Sequence, residues 1–408
     1  MCNDGALLLA KAVFQNMEKE IPSQVVSDYL NAHVHLMMTA LMGLGDAQYP
    51  PLVLQMSFPS DPTNFGKDDK GMLNGVFYET VVGVVALKLP IQLMLDAVSR
   101  IRPTLKHWAD AGCTTVIDCG LGSVTGDLRE IGLVASQLES GGVTAAPLPR
   151  LRGALSVQAI PGGNAQTFVQ DHPTVSWNVG AVQVQAIKFL LDGSTQRFTA
   201  AVSTPYLKPP KDSPCGKLNY NTEKEEKVLL ETVKTLVKGG HRLEHVTADV
   251  TTDQLRRAQA LGLSVSHLMA HVREWGRWTV RSLVPVRDDV DLGVTYSFHS
   301  DSSISEVAPL QYADTAMTRR MDDMNGKPSE EVLGPKQTIT LEQALRGIMY
   351  SPVNQLGALA EIGSLEAGKK ADFVVLEVDP RSQERKDLHT DCKVLETWIG
   401  GVCAYSKV

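Results

Sequence analysis

The sequence predicts an α/β fold built around a parallel sheet. From about residue 110 onward, short runs rich in β-branched residues alternate with segments of helical periodicity, which is typical of βα units. The length of 408 residues fits one large α/β barrel or two modest domains. With 43% hydrophobic and 21% charged residues, the composition allows a substantial core and excludes disorder for most of the chain.

The predicted elements can be placed in order along the chain. An opening strand ends just before His33, and six more are predicted at residues 114–118, 152–157, 182–191, 242–246, 263–268 and 294–298. Helices are predicted at residues 92–101, 103–111, 128–138, 223–237, 252–261 and 341–350, and Pro103 is expected to separate the first two. Seven strands are one fewer than a closed (β/α)₈ barrel contains.

The C-terminal segment differs in kind from the rest. Residues 362–372 lead into predicted strands at 373–376 and 394–399, and Gly400-Gly401 follows. Because these strands are joined by turns rather than by long helices, they predict a small β-layer packed beside the barrel.

Charge and cysteine usage exclude several classes of protein. The 39 Lys and Arg residues against 46 Asp and Glu residues give a net charge of -7, which makes nucleic acid an unfavourable partner. The longest apolar runs fall short of the roughly 20 residues that a membrane span needs, and no signal peptide is expected. The six cysteines form no CxxC pair, so we expect reduced thiols in a cytoplasmic protein.

The first motif with chemical potential is His33-Val34-His35, at the end of the opening strand. Strand alternation places residues i and i+2 on one face, so both imidazoles would point the same way. Two such imidazoles are half of a typical zinc site. The alternative is one histidine in the core and one at the surface.

A lysine follows inside an apolar strand. A buried ammonium at Lys188 is costly unless it is paired or modified, so a carboxylated lysine that bridges two metal ions is one interpretation. The other is a lysine whose ammonium reaches solvent from the strand end.

Two further polar residues end later strands. Alternation predicts that His241, Leu243 and His245 share a face while Glu244 points elsewhere. His245 could be a ligand or a structural histidine. Asp301 follows the last strand, where barrels carry their chemistry, although it could equally be the N-cap of a helix.

A group of rings lies at and after the strand predicted at 263–268: His267, His271, Trp275 and Trp278. Aromatic and imidazole groups in a βα loop suggest the wall of a pocket. A helix packed on the rim of the barrel would explain them as well.

The order HxH, Lys, His, Asp, with each motif on or just after a strand, resembles the amidohydrolase superfamily. The resemblance is greatest to the branch that contains N-substituted formamide deformylase. It is carried by residues 31–36 (NAHVHL), 112–118 (GCTTVID), 187–194 (IKFLLDGS), 241–245 (HRLEH), 299–301 (HSD) and 362–373 (IGSLEAGKKADF). The last motif is the most specific, and together they span nearly all of residues 31–408.

The resemblance implies a (β/α)₈ TIM-like barrel over residues 31–350. Residues 1–30 and 351–408 would be terminal segments, and the latter would form a small partial β-sandwich. The family also implies a divalent metal, zinc above all, as one or two ions. The metal ligands would be His33, His35, Lys188, His245 and Asp301.

Asp301 would also be the catalytic residue of the implied mechanism. The metal would lower the pKa of a water toward about 7, and Asp301 would carry that water's proton to the leaving nitrogen. Glu244 would orient a ligand rather than bind metal.

Two departures from the family pattern stand out. Only thirty residues precede Asn31, so half of the family's sandwich is expected to be absent and the tail strands to have unpaired edges. The family's fifth-strand segment with its metal-binding histidine has no counterpart, because Gly239-Gly240 joins directly to His241. One βα unit is therefore expected to be missing. Histidines that could substitute, although none lies at the expected strand end, are His172, His267 and His271.

The leading hypothesis is a metal-dependent hydrolase of C–N bonds other than peptide bonds, in an amide, formamide or cyclic amide, or in a heterocycle that it deaminates. The alternative is a catalytically impaired or non-catalytic protein of the same fold that lacks the fifth-strand ligand. Loops 46–75, 203–221 and 271–287 would contact a small-molecule substrate. No membrane partner is expected, and a homodimer is expected only by analogy.

Overall fold

The structure is a computed structural model that describes part of the chain. It describes strands at residues 25–27, 29–34, 65–67 and 73–77, and residues 91–407 apart from 143–144, 161–164, 172–175, 196–197, 208–212, 221, 236–240, 278–282, 324 and 383–386. Of the predicted metal ligands, His33 is described in its backbone alone and His35 lies outside the described residues. His172 and Trp278 also lie outside them.

The described residues form sixteen strands and eleven α-helices. The strands are β1 (Val25–Ser27), β2 (Tyr29–Val34), β3 (Phe65–Lys67), β4 (Leu73–Phe77), β5 (Cys113–Leu121), β6 (Arg150–Ser156), β7 (Trp177–Val179), β8 (Val182–Lys188), β9 (Arg242–Glu244), β10 (Ser264–Leu268), β11 (Tyr296–His299), β12 (Arg320–Asp322), β13 (Pro328–Val332), β14 (Phe373–Leu376), β15 (Val394–Ile399) and β16 (Val402–Ser406). The helices are α1 (Ile91–Asp110), α2 (Arg129–Glu139), α3 (Ala165–Asp171), α4 (Glu223–Thr235), α5 (Thr252–Ala260), α6 (Ala270–Arg273), α7 (Val286–Leu292), α8 (Pro309–Thr318), α9 (Leu341–Ile348), α10 (Tyr350–Gln355) and α11 (Leu388–Asp391).

Two parallel sheets carry the fold. The first has the order β2-β5-β6-β8, with β7 antiparallel at its edge, and the second has the order β9-β10-β11. These seven parallel strands correspond to the seven that the sequence predicts. Strand β11 packs against β2, which brings the two sheets side by side. The fold is therefore a mixed α/β architecture.

At their far edges, where the first sheet ends in β7 and the second in β9, the two sheets are not paired within the described residues. In the described part of the chain, β8 does not pair with β9, and helix α4 is the regular element that lies between them in sequence. Strand β8 ends at Lys188, three residues before the predicted end at Leu191.

The second sheet has one apolar and one polar face. The apolar face carries Val265, Tyr296 and Phe298, which pack in a core that helices α7, α8 and α9 complete. Gly347 of α9 has no room for a side chain, since a Cβ there would lie 2.6 Å from the ring of Phe298. The opposite face carries Ser266 and Ser297, which lie directly opposite each other in the parallel register.

Helix α1 continues through Pro103, so the predicted break at this residue is wrong. Ala97, Ile101, Leu105 and Trp108 are all buried and follow one face of the helix across the proline. Pro103 itself is exposed, so the carbonyl that loses its intrahelical partner faces water. Packing of the apolar stripe outweighs the local cost of the proline.

The terminal segments form a separate antiparallel sheet with the order β1-β14-β15-β16. Strand β1 pairs along β14, so the expectation that the tail strands have unpaired edges is wrong for β14. Arg150 at the start of β6 forms an ion pair with Asp372, and the Thr397 hydroxyl donates to the carbonyl of Ala109 at 2.7 Å. The first contact joins the terminal sheet to strand β6 of the parallel sheet, and the second joins it to helix α1.

None of the described helices combines the length and the apolar character that a membrane span requires.

Candidate active site

Three imidazoles meet where the strands of the second sheet end. His245 follows β9 directly, His299 is the last residue of β11, and His271 lies on α6. The Nε2 atom of His299 is 3.2 Å from Nδ1 of His245, and the rings of His245 and His271 have centroids 6.3 Å apart. His299 and His271 are buried, whereas His245 is partly exposed.

The backbone at the end of β9 turns His245 toward this group. Strand β9 ends at Glu244, and His245 has φ 69, which is left-handed backbone that interrupts strand alternation. Leu243 packs against the apolar core, whereas Nδ1 of His245 lies 3.2 Å from Nε2 of His299. The prediction that His245 shares a face with Leu243 is therefore wrong.

Glu244 is held by a partly buried ion pair. Arg242 donates from Nε to Glu244 Oε1 at 2.5 Å and from Nη2 to Cys119 Sγ of β5 at 3.1 Å. Burial raises the pKa of Glu244, but the charge of Arg242 above all offsets this, so the pKa lies below its ordinary value. Burial raises the pKa of the Cys119 thiol to about 12, which keeps it protonated.

Lys188 belongs to the same polar group. It is the last residue of β8 and is partly exposed. Its positive charge lies close enough to Glu244 and to Cys119 to lower the pKa of each. The structure thus brings Lys188 beside Glu244, and its role as a metal ligand stays a prediction.

Asp301 lies two residues beyond β11 and faces His271. No helix begins at Asp301, since α8 starts at Pro309, so the N-cap alternative is wrong. Burial lowers the pKa of His271 to about 3, the charge of His245 adds to this, and the carboxylate of Asp301 opposes it. The Nδ1 atom of His271 is 2.9 Å from the hydroxyl oxygen of Thr247.

Two interpretations are open for the rings at and after β10: a pocket wall, or a helix packed on the rim of the barrel. His267 is wholly buried, with Nε2 2.6 Å from Asp289 Oδ2 and Nδ1 3.2 Å from the carbonyl of His245. It is a core histidine that supports the turn at His245. The ring of Trp275 lies 5.6 Å from that of His271, and the part of these two in a pocket wall stays a prediction.

His299 is not among the predicted site residues, yet the structure places its Nε2 atom 3.2 Å from Nδ1 of His245. A signal was available, because His299 lies two residues before Asp301 and two after Ser297 on a predicted strand. Residues at this spacing share a face of the strand, so His299 is expected on the same face as the polar Ser297.

The available donors suit a divalent ion in their chemistry. Imidazole nitrogens and carboxylate oxygens are the ligands that zinc prefers together with thiolates. Among the described side chains, no three of the relevant types converge closely enough to hold an ion without further ligands. The predicted complement is the pair His33 and His35, whose side chains lie outside the described part of the chain.

Comparison with known proteins identifies the family. The amidohydrolase family model matches residues 96–405. N-substituted formamide deformylase from Arthrobacter pascens is 32% identical over 175 residues, which make up 41% of this chain and 31% of that protein. The match thus spans less than a third of the relative's length.

Solved structures show the same fold. A metal-dependent hydrolase from Pyrococcus horikoshii OT3 is 18% identical, with a TM-score of 0.60 over 94% of this chain and 92% of that one. Atrazine chlorohydrolase from Arthrobacter aurescens TC1, complexed with zinc, is 14% identical, with a TM-score of 0.52 over 94% of this chain and 85% of that one. At these identities the likeness is one of fold. Because the family model covers well over half of its residues, the chain belongs to the amidohydrolase family.

Proposed function

We propose that this chain is a metal-dependent hydrolase of C–N bonds other than peptide bonds, acting on a small amide, formamide or cyclic amide. Membership of the amidohydrolase family and the likeness to N-substituted formamide deformylase support this class of reaction. The observation that carries the proposal is the grouping of His245, His271 and His299 with Asp301 at the ends of β9 and β11.

The ion would be held by the five predicted ligands: His33, His35, Lys188, His245 and Asp301. A divalent ion, zinc by analogy with the atrazine chlorohydrolase complex, supplies a lower pKa for water and polarises the scissile carbonyl. Asp301 takes the proton of the attacking water and passes it to the leaving nitrogen. Burial keeps His271 neutral near pH 7, so it adds no charge beside the proposed ligands.

The same proposal extends to the architecture. The seven parallel strands are those of a (β/α)₈ barrel over residues 31–350 from which the fifth βα unit is missing. The absence of pairing between β8 and β9 in the described chain supports this. Residues 1–30 and 351–408 are the terminal segments, and the latter forms a small partial β-sandwich, which the antiparallel pairing of β14, β15 and β16 supports.

A second candidate is a non-catalytic protein of the same fold. It is favoured by the direct passage from Gly239-Gly240 to His241, where the family's fifth-strand histidine would precede. On this alternative the imidazole group would be a remnant that binds no metal.

The test is metal content by elemental analysis of the full chain expressed with added zinc, followed by turnover of a panel of amides and formamides. We expect one or two ions per chain, lost in His33→Ala and His245→Ala. His107→Ala is the matched control, because His107 is exposed on α1, and it should retain the ion. Asp301→Asn should keep its fold and lose at least about 100-fold in turnover.

Protein without stoichiometric metal that also fails to turn over any substrate with added zinc or manganese would overturn the proposal. The non-catalytic alternative would then stand. Equal metal loss in His107→Ala would show that metal content reports folding rather than ligation.

A further inference from the structure

A chain of hydrogen bonds crosses the polar face of the second sheet and ends at His245. It runs from the Gln355 carboxamide through Ser297, Ser266 and His299, with consecutive separations of 2.7 Å, 2.9 Å, 2.8 Å and 3.2 Å. Ser266, Ser297 and His299 are each 0% exposed, so no solvent competes along the chain.

The direction of the chain is set at Gln355. Its Nε2 donates to the carbonyl of Val265 at 2.7 Å, so Oε1 faces the Ser297 hydroxyl. A carboxamide oxygen only accepts, and a serine has one proton to donate. Ser297 therefore donates to Gln355, and its oxygen must accept from Ser266.

The protons of both imidazoles follow from this. Because the Ser266 proton is used toward Ser297, the Ser266 oxygen accepts from Nδ1–H of His299. The neutral His299 ring then has its lone pair on Nε2, which faces His245 Nδ1 at 3.2 Å. Two lone pairs at that distance would repel, so His245 donates from Nδ1 and has its own lone pair on Nε2.

The opposite direction of hydrogen-bond donation is excluded by the same count of protons. If Ser266 donated to His299, then Ser297 would have to donate to Ser266. The Ser297 oxygen and Gln355 Oε1 would then face each other at 2.7 Å without a proton between them. Rotating the carboxamide by half a turn would set two oxygens against each other at Val265 instead.

We propose that His299 is a positioning residue: anchored through Ser266, Ser297 and Gln355, it holds His245 in the Nδ1–H tautomer and presents His245 Nε2 to the metal. The last step rests on the proposed function, whereas the tautomer does not. Fixing the ring and the proton of a ligand in this way typically raises metal affinity about 10–100-fold.

The experiment compares Ser266→Ala with Ser264→Ala in the full chain. Both serines lie on β10, but the Ser264 hydroxyl donates to the carbonyl of His241 at 3.3 Å and does not contact His299. Long-range ¹H–¹⁵N NMR of histidine-labelled protein reports the tautomer of each ring, before and after chelation. Competition with a chelator reports zinc affinity.

The unaltered chain and Ser264→Ala should show His245 and His299 protonated at Nδ1 in the chelated protein. In Ser266→Ala, the proton of His299 loses its acceptor, so the two rings should move toward the Nε2–H tautomer. Zinc affinity should then fall about 10–100-fold. Ser297→Ala, one step further out, should change the tautomers in the same direction.

An Nε2–H tautomer of His245 in the unaltered chain, or tautomers and affinity unchanged in Ser266→Ala, would overturn the inference even if zinc binds. If the tautomers behave as stated but no protein binds zinc, then the hydrogen-bond chain stands and the proposed function fails. The two failures are therefore distinguishable.

Discussion

Two glutamates that follow parallel strands differ in what surrounds them. Glu130, in the first turn of α2 after β5, is 1% exposed and accepts from the backbone N–H groups of Val124 and Thr125 at 2.9 Å and 3.0 Å. Glu244, at the end of β9, has a side chain that is 15% exposed and is paired with Arg242. Burial raises the pKa of Glu130 to about 8, whereas the pKa of Glu244 is lowered.

The difference shows that burial alone does not decide the charge of a carboxyl group. At Glu130, neutral N–H donors do not offset the cost of removing a charge from water, so the proton is favoured. At Glu244, the charges of Arg242 and Lys188 do offset it. Glu130 holds the loop that contains Val124 and Thr125. Glu244 lies among the charged groups of the candidate site.

The largest expected effect is on Glu244. Arg242→Met would leave its carboxylate partly buried without its guanidinium, and we expect the free energy of unfolding to fall by about 3–5 kcal/mol. Urea denaturation at pH 7 measures this. The double variant with Glu244→Gln should recover most of the loss. A single variant that loses under 1 kcal/mol would contradict the assigned role of Arg242.

A pH-dependent effect is expected at Glu130. Its pKa is raised from 4.5 to about 8 on folding, so the stability it contributes is fully present below about pH 4.5 and is lost as the pH rises toward about 8. Glu130→Gln keeps an acceptor oxygen and should flatten the stability profile over this range.

The measurement for Glu130 is thermal or urea unfolding at several pH values. Glu139→Gln is the matched control, because Glu139 is exposed at the end of the same helix. Its profile should follow that of the unaltered chain. A Glu130→Gln profile as steep as the unaltered one would show that another group dominates the pH dependence.

The smallest effect is expected at Cys119. Cys119→Ala removes the sulfur that accepts from Arg242 and leaves the Arg242–Glu244 pair in place, so we expect a loss of about 1 kcal/mol in urea denaturation. Cys215→Ala, in a partly exposed loop, should change stability less. A loss above 3 kcal/mol would mean that the thiol, rather than Glu244, is the main partner of Arg242.

Most of the strands could be predicted because their signal is local. The β-branched run around Val116 and Ile117 forms β5, and the run at Phe373 to Leu376 forms β14. Pro103 was misjudged because a local rule about proline ignores the buried stripe on the opposite side of α1. The edge of β14 was misjudged because its partner, β1, lies almost the full length of the chain away.

The candidate site was harder to predict, since its geometry depends on where strands end. Alternation is valid only while the backbone stays extended, and it ends at Glu244, one residue before His245. Asp289, the partner of His267, is 22 residues away in sequence, and Gln355 lies 58 residues beyond Ser297. No local pattern relates such residues.

The sequence by itself determined the family, the parallel strands and the kinds of donor that follow them, because composition, period and motif are properties of neighbouring residues. Only the tertiary structure decided the directions of the side chains. It turned His245 out of the strand alternation, paired His267 with Asp289 in the core, and brought His299 to 3.2 Å from His245. These are contacts between distant segments, and they depend on how the helices and both sheets pack together.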